Sequence, residues 1–215
     1  MRRCYWRKGR FPRGEYHFSE GKLKILCFNA VPTTQFTLHW SPYVSQFLPT
    51  TDLCDQQLDD LSGDFRVLPP VFSDYGQVRR FHGPVVTVQC LDDNTSVKAA
   101  LESPGWIETS EGRVAQVLVV AGGASMRRAL MGGKLGAQAV RNGWAGVVVD
   151  GCVRDVGELA QCAVGIRALA LFPMPTQRRM PGQTQLAVQI QGVWVRPGDW
   201  LYADEDGMVV SSRQL

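Results

Sequence analysis

Arg154 and Asp155 stand side by side, Glu158 follows three residues after the aspartate, and Gly133 lies twenty-one residues before the arginine. These residue types suit one kind of chemistry. An arginine can grip a carboxylate through paired hydrogen bonds. An aspartate beside it can hold a hard divalent cation such as Mg²⁺, with water completing the octahedron. Gly132 and Gly133 leave backbone N–H groups uncovered at a helix start, where the helix dipole favours a carboxylate or a phosphate. The stretch "GGASMRRALMGG" is neither a Walker A loop nor a G-x-G-x-x-G dinucleotide fingerprint. Each residue also has a plainer reading. The glycines would equally make a tight turn, and Asp155 would equally cap the helix that follows while Arg154 makes a local ion pair. Asp150 is either a rival ligand or a turn residue.

These side chains need strands and helices in alternation to bring them together. The Val-rich run 115–123 predicts a central strand ending in glycines. The segment 124–143 includes a helix, but each glycine of the 132–133 pair costs about 1 kcal/mol relative to alanine inside a helix. The helix is therefore expected from near Lys134 to Gly143, a natural residue just past a helix end. A second buried strand is expected over 144–151, a short helix over 154–165 ending at Gly165, and a third strand over 167–175. Alternation of this kind indicates parallel βαβ packing, with ligands at the carboxyl edge of the sheet.

Upstream, the segment 41–61 reads as a helix, a Pro-Thr-Thr break and a second helix capped by Thr51 or Asp52. The run 83–90 reads as a strand, and 93–103 as a helix capped by Asn94 or Thr95. The tail from Thr184 reads as three strands, with turns at Pro197-Gly198-Asp199 and Asp204–Gly207. A β-rich layer is thus expected to close on a βαβ layer.

Bulk properties narrow the class. A chain of 215 residues with 45% hydrophobic and 20% charged residues is globular in composition. None of its apolar runs nears the roughly 18 residues of a membrane span. Residues 1–41 carry eight Lys/Arg against two Glu, a balance of +6, which leaves fifteen basic against eighteen acidic residues, or −3. A mildly acidic body argues against direct nucleic-acid binding by the main domain. Six cysteines without a C-x-x-C pair, and three histidines, argue against zinc and fit free thiols in a reducing, cytoplasmic setting. Cys152 is expected to be a buried filler.

Residues 1–40 form a basic, aromatic extension, expected to be loosely ordered; organellar targeting and RNA contact through Tyr5, Trp6 and Phe11 are the alternatives. The body is assigned to 41–215. Trp106, Trp144, Trp194 and Trp200 are expected in the core or an interface, Gln177-Arg178-Arg179 in a solvated loop, with a subunit or anion contact as the alternative, and His82 outside the chemistry.

The segments "TTDLCD", "GWAGVVVDGCVRDVGELA", "GIRALALFPMP" and "PGDWLYADEDGMVV", in that order between Thr51 and Ser212, resemble the family of the regulator of ribonuclease activity A. That family also holds class II 4-hydroxy-4-methyl-2-oxoglutarate aldolases and related oxaloacetate decarboxylases, and its members have carried a menaquinone methyltransferase label. The resemblance implies an α/β fold, a β/β/α sandwich of the swivelling-domain type, assembled as a homotrimer or hexamer with sites near subunit interfaces. It implies that backbone amides of Gly132, Gly133, Lys134 and Leu135 bind the carboxylate of a 2-oxo acid, that Arg154 contacts substrate, and that Asp155 binds Mg²⁺ or Mn²⁺. In one group of aldolases an aspartate stands where Gly133 is; in another, glycine stands there and an acid takes the position of Glu158. Purely regulatory members lack both acids. The resemblance thus implies a metal-dependent lyase, with Glu158 orienting or deprotonating water. The other reading is a protein-binding regulator of a ribonuclease or helicase. No cofactor-binding glycine loop supports a methyltransferase.

Overall fold

The computed structural model describes residues 48–215 and, within the preceding part, the backbone of two strands. The chain divides into two compact units, Met1–Tyr43 and Val44–Leu215. In the first, β1 (Gly14–Ser19) and β2 (Lys22–Cys27) pair antiparallel. The targeting and RNA-binding readings of the extension otherwise fall outside the described residues. So does the first of the two helices expected over 41–61.

The second unit begins with α1 (Thr50–Gln56), β3 (Phe65–Val67), β4 (Ser73–Asp74) and β5 (Phe81–Gln89). There follow α2 (Thr95–Glu102), the hairpin β6 (Trp106–Thr109) and β7 (Gly112–Ala115), and the long β8 (Val117–Met131). Next come α3 (Gly133–Arg141), β9 (Gly146–Val153), α4 (Val156–Leu159) and β10 (Gly165–Leu171). The tail holds β11 (Gln183–Thr184), the hairpin β12 (Val188–Ile190) and β13 (Val193–Val195), and the pair β14 (Trp200–Ala203) and β15 (Met208–Ser211).

One mixed sheet organises these elements in the order β3-β15-β14-β5-β8-β9-β10-β4, with β11 joined to β5. The four inner strands β5, β8, β9 and β10 run parallel, and the flanking strands antiparallel. Side chains alternate across the sheet, so both faces are buried. Leu118, Val120, Val147 and Val149 point to a core shared with Val97 and Leu101 of α2 and Leu135 and Ala139 of α3. Their neighbours Val117, Val119 and Val148 point to the opposite core, shared with Val188, Ile190 and Val195 of the β12–β13 hairpin. This is the β/β/α sandwich, with the parallel layer at its centre. No helix among the described residues is long and apolar enough to cross a membrane.

Several local expectations are corrected. The strand expected over 115–123 continues to Met131, through Gly122 and Gly123, with register shifts against β9. Gly165 opens β10 instead of closing a helix, and the helix before it is one turn long. Beyond the short β11 the tail has four strands instead of three, because Gln191-Gly192 makes a further turn. Asn94 holds the N-cap position of α2, yet its side chain does not cap, and Asp93 accepts the Thr95 N–H instead, at 2.8 Å. The cap of α1 is neither Thr51 nor Asp52. Pro49 occupies the position, and the helix start is held from the far end of the domain by Asp204. That carboxylate accepts the Thr50 N–H and the Thr50 hydroxyl, both at 2.6 Å, and the N–H groups of Asp206 and Gly207.

Burial pushes Asp204 up, but the hydrogen bonds from Thr50, Asp206 and Gly207 outweigh it and hold the carboxyl below its ordinary range. A carboxyl whose folded-state pKa is depressed stabilises the fold above its unfolded pKa, and that contribution fades as pH falls through the folded value. Asp204→Ala is therefore expected to lower stability at neutral pH by about 2–3 kcal/mol and to flatten the acid limb of the stability curve below about pH 4. Urea unfolding across pH 3–7 checks both.

Candidate active site

The catalytic candidates meet because a strand, a turn and a helix start share one edge of the sheet. β8 ends at Met131, Gly132 makes an extended link, and α3 begins at Gly133. Beside it β9 ends at Val153, and the Arg154 N–H donates to Met131 O at 2.9 Å. This bond ties the two strand ends together and brings Asp155 to the first turn of α3.

Asp155 adopts a left-handed backbone, φ 58° and ψ 45°, just before α4. Its carboxylate does not cap that helix. It accepts the Gly133 N–H at 3.3 Å and lies 3.5 Å from Arg154 Nε. The capping reading of Asp155 is thus corrected: the left-handed turn directs the acid toward the neighbouring helix. Such a conformation at a non-glycine residue is sparsely populated, and it clusters at functional sites. The Arg154 guanidinium also reaches Pro173 O at 3.5 Å.

The two glycines are there for space. A Cβ on Gly132 would lie 2.6 Å from Asp155 Oδ2, and one on Gly133 would lie 1.9 Å from Glu158 Oε2 and 2.6 Å from Glu158 Cβ. The Glu158 side chain therefore fills the volume that a side chain at 133 would need. The two acid arrangements implied by the resemblance exclude one another on steric grounds. Leu135 N and Gly136 N turn back to Gly132 O at 3.0 Å, while the N–H of Lys134 has no acceptor among the described residues. It is a free donor at a helix N-terminus.

These groups open into a cavity of about 410 Å³ lined by Gly132, Lys134, Leu135, Arg154, Asp155 and Glu158 on one side. Gly133 sits beneath it, buried. Among the described residues no group of three or more His, Cys, Asp or Glu could hold a metal. Asp155 and Glu158 still fit a hard divalent cation. Both are exposed oxygen donors, and Mg²⁺ commonly takes one or two carboxylates and completes its shell with water and substrate. The rival Asp150 is buried in the opposite core, where its carboxylate accepts Ala124 N–H and Gln191 Nε2. Cys152 is buried against Met126 Sδ at 3.3 Å, and burial pushes its thiol up, as suits a filler.

With this geometry in view, comparison with known proteins is informative. The family model RraA-like: Aldolase/RraA matches residues 50–210. The chain belongs to the RraA-like family. A protein of Albidiferax ferrireducens, provisionally named 4-hydroxy-4-methyl-2-oxoglutarate aldolase, is 69% identical over 166 residues, covering 77% of this chain and 96% of the relative. The structure of the RNA-processing inhibitor RraA from Thermus thermophilis superposes with a TM-score of 0.69 at 39% identity, covering 78% and 94% of the two chains. A structure titled S-adenosylmethionine:2-dimethylmenaquinone methyltransferase from Geobacillus kaustophilus HTA426 also gives 0.69, at 37% identity over 78% and 97%.

This RraA-like chain also carries cavity residues that sequence reasoning did not assign to the site. Asn94, Thr176, Gln177 and Arg178 also line the cavity. Residues 177–179 form an exposed loop, as expected, but the segment is also fastened from below. Asp93 Oδ2 accepts the N–H groups of Arg179 and Met180 at 2.5 and 3.0 Å, and Asn94 Oδ1 accepts Thr176 Oγ1 and Arg178 Nε. The signal in the sequence was the run Asp92-Asp93-Asn94, which also serves as an ordinary helix start. The tryptophans divide. Trp144 is in the core, Trp200 stacks with His82 and Tyr202, Trp106 carries Arg113 over its ring, and Trp194 is exposed.

The crowding at Gly133 yields a test that needs no substrate. Gly133→Ala should destabilise the fold by about 1–3 kcal/mol, although alanine is the better helix former. Glu158→Gly should relieve the clash, so a double-mutant cycle measured by urea unfolding is expected to show coupling of about 1 kcal/mol or more.

Proposed function

We propose that the protein is a divalent-metal-dependent lyase that cleaves small 2-oxo acids to pyruvate. It would act by retro-aldol cleavage of 4-hydroxy-4-methyl-2-oxoglutarate and by decarboxylation of oxaloacetate, as a homotrimer or hexamer. The observation that carries this reading is the convergence of Arg154, Asp155 and Glu158 on the N-terminus of α3, in one cavity. The name of the Albidiferax relative supports it.

In this mechanism the 1-carboxylate of the substrate docks on the free N–H of Lys134 and the positive end of α3. Arg154 lies beside the C2 oxygen and stabilises the negative charge that develops there as the C3–C4 bond breaks. Asp155, with Glu158 next to it, would hold a Mg²⁺ or Mn²⁺ ion, which supplies Lewis-acid stabilisation of the same charge. In the retro-aldol direction the C4 hydroxyl must lose its proton. Glu158 is placed in the role of that base, acting directly or through one water. The electrons of the C3–C4 bond pass into the enolate of pyruvate, and a proton returned to C3 completes the product. Oxaloacetate asks less of the site, because departing CO₂ needs no base.

The name of the Thermus relative favours a second reading, a protein-binding regulator of a ribonuclease or helicase. That role has no use for two acids crowded against a helix N-terminus, which is why the lyase is preferred.

Purified protein is expected to release pyruvate from both substrates with Mg²⁺ or Mn²⁺ in a coupled assay, and EDTA should abolish it. Asp155→Ala should remove activity and Arg154→Ala nearly so, while Glu158→Ala lowers turnover about tenfold or more. Metal-independent turnover, or an Asp155→Ala protein as active as its parent, would sink the assignment.

A further inference from the structure

We propose that Arg178 anchors the second carboxylate of the 2-oxo diacid substrate, and that Asn94 is its positioning residue. This rests on the lyase reading. Arg178 stands on the segment after β10 and lines the cavity that holds Lys134, Arg154, Asp155 and Glu158. It is exposed, yet its Nε is held, donating to Asn94 Oδ1 at 3.1 Å.

Asn94 is itself held. It is 7% exposed, its Nδ2 donates to Leu130 O at 3.0 Å, and its Oδ1 also accepts Thr176 Oγ1 at 2.7 Å. These bonds fix which end of the amide faces the arginine. The backbone is fastened too, with Arg178 in the left-handed region at φ 52° and the next two N–H groups on Asp93.

Asn94 takes only Nε. The two terminal nitrogens of Arg178 have no hydrogen bond or ion pair among the described residues. They form the fork that matches a carboxylate. Asn94 is neutral, so the positive charge of Arg178 is not cancelled by its support, unlike that of Arg154 beside Asp155. The cavity therefore has two anion donors: the start of α3 with Arg154 for the 2-oxo carboxylate, and Arg178 for a carboxylate farther along the chain. Its volume of about 410 Å³ accommodates a small diacid.

The test compares two substrates that differ in the distal group. Pyruvate release is measured with Mg²⁺ from 4-hydroxy-4-methyl-2-oxoglutarate and from 4-hydroxy-2-oxopentanoate, which lacks the second carboxylate. Arg178→Gln should raise KM for the diacid about tenfold or more, the scale of a lost charge-assisted hydrogen bond, and leave KM for the monoacid near that of the parent. Arg178→Lys should recover part of the loss. Asn94→Ala should show the same split in KM, and little further loss when combined with Arg178→Gln. Equal effects on both substrates, or none on either, would overturn the proposal. If the parent cleaves neither substrate, the lyase reading fails and the anchor is still read by calorimetry. Arg178→Gln should then weaken binding of 2-oxoglutarate and leave pyruvate unchanged, and an unchanged affinity for 2-oxoglutarate would overturn the proposal.

Discussion

The carboxylate of Glu158 lies against the backbone of Gly133 so closely that a single added carbon at 133 would overlap it. Much of the site follows from this contact. It requires α4 to stay close to α3, which in turn requires a tight passage from β9 into α4. That passage is made at Asp155, whose left-handed backbone points its carboxylate at the same glycine. One residue without a side chain thus gathers two acids, and the Arg154 N–H bond to Met131 O fixes the height at which they meet. Arg154 lies 3.5 Å from the Asp155 carboxylate, and the positive end of the α3 dipole faces the same corner.

The part of the site written within one strand-helix unit was legible in the sequence. Gly132, Gly133, Arg154, Asp155 and Glu158 lie within twenty-seven consecutive positions, and short-range patterns of strand, glycine and helix place them side by side. The central strands were legible for a similar reason, since runs buried on both faces contain few polar residues. What was not legible came from long-range pairing. Asp204 reaches Thr50 across 154 positions and replaces a local helix cap. Arg178 and Asn94 are 84 positions apart and come from the ends of different strands. Local rules also misled where two physical roles share one signal. Asn94 looks like a helix cap and serves the cavity, and glycines that look like the end of a strand lie in a register shift, beyond which β8 pairs with β9 again.

The opposite face of the sheet contributes rigidity. Asp150 sits only five positions before Asp155 on β9, yet it faces away from the cavity and fastens β8 and the β12–β13 turn. Two aspartates so close in the chain end in different environments because a strand alternates its faces and the chain leaves the strand before Asp155. Burial with full hydrogen bonding suits the first for structure, and exposure at a helix start suits the second for exchange of ligands.

The run Asp92-Asp93-Asn94, just past the end of β5, holds two separate segments. Asp92 binds Ser125 and Arg127, Asp93 binds the N–H groups of Arg179 and Met180, and Asn94 binds Thr176 and Arg178. Among the described residues, the wall it supports shares no hydrogen bond with Glu158 or Asp155. Substitutions in that wall can therefore reshape the cavity without disturbing the bonds that hold the acidic corner, so the two parts are free to evolve separately.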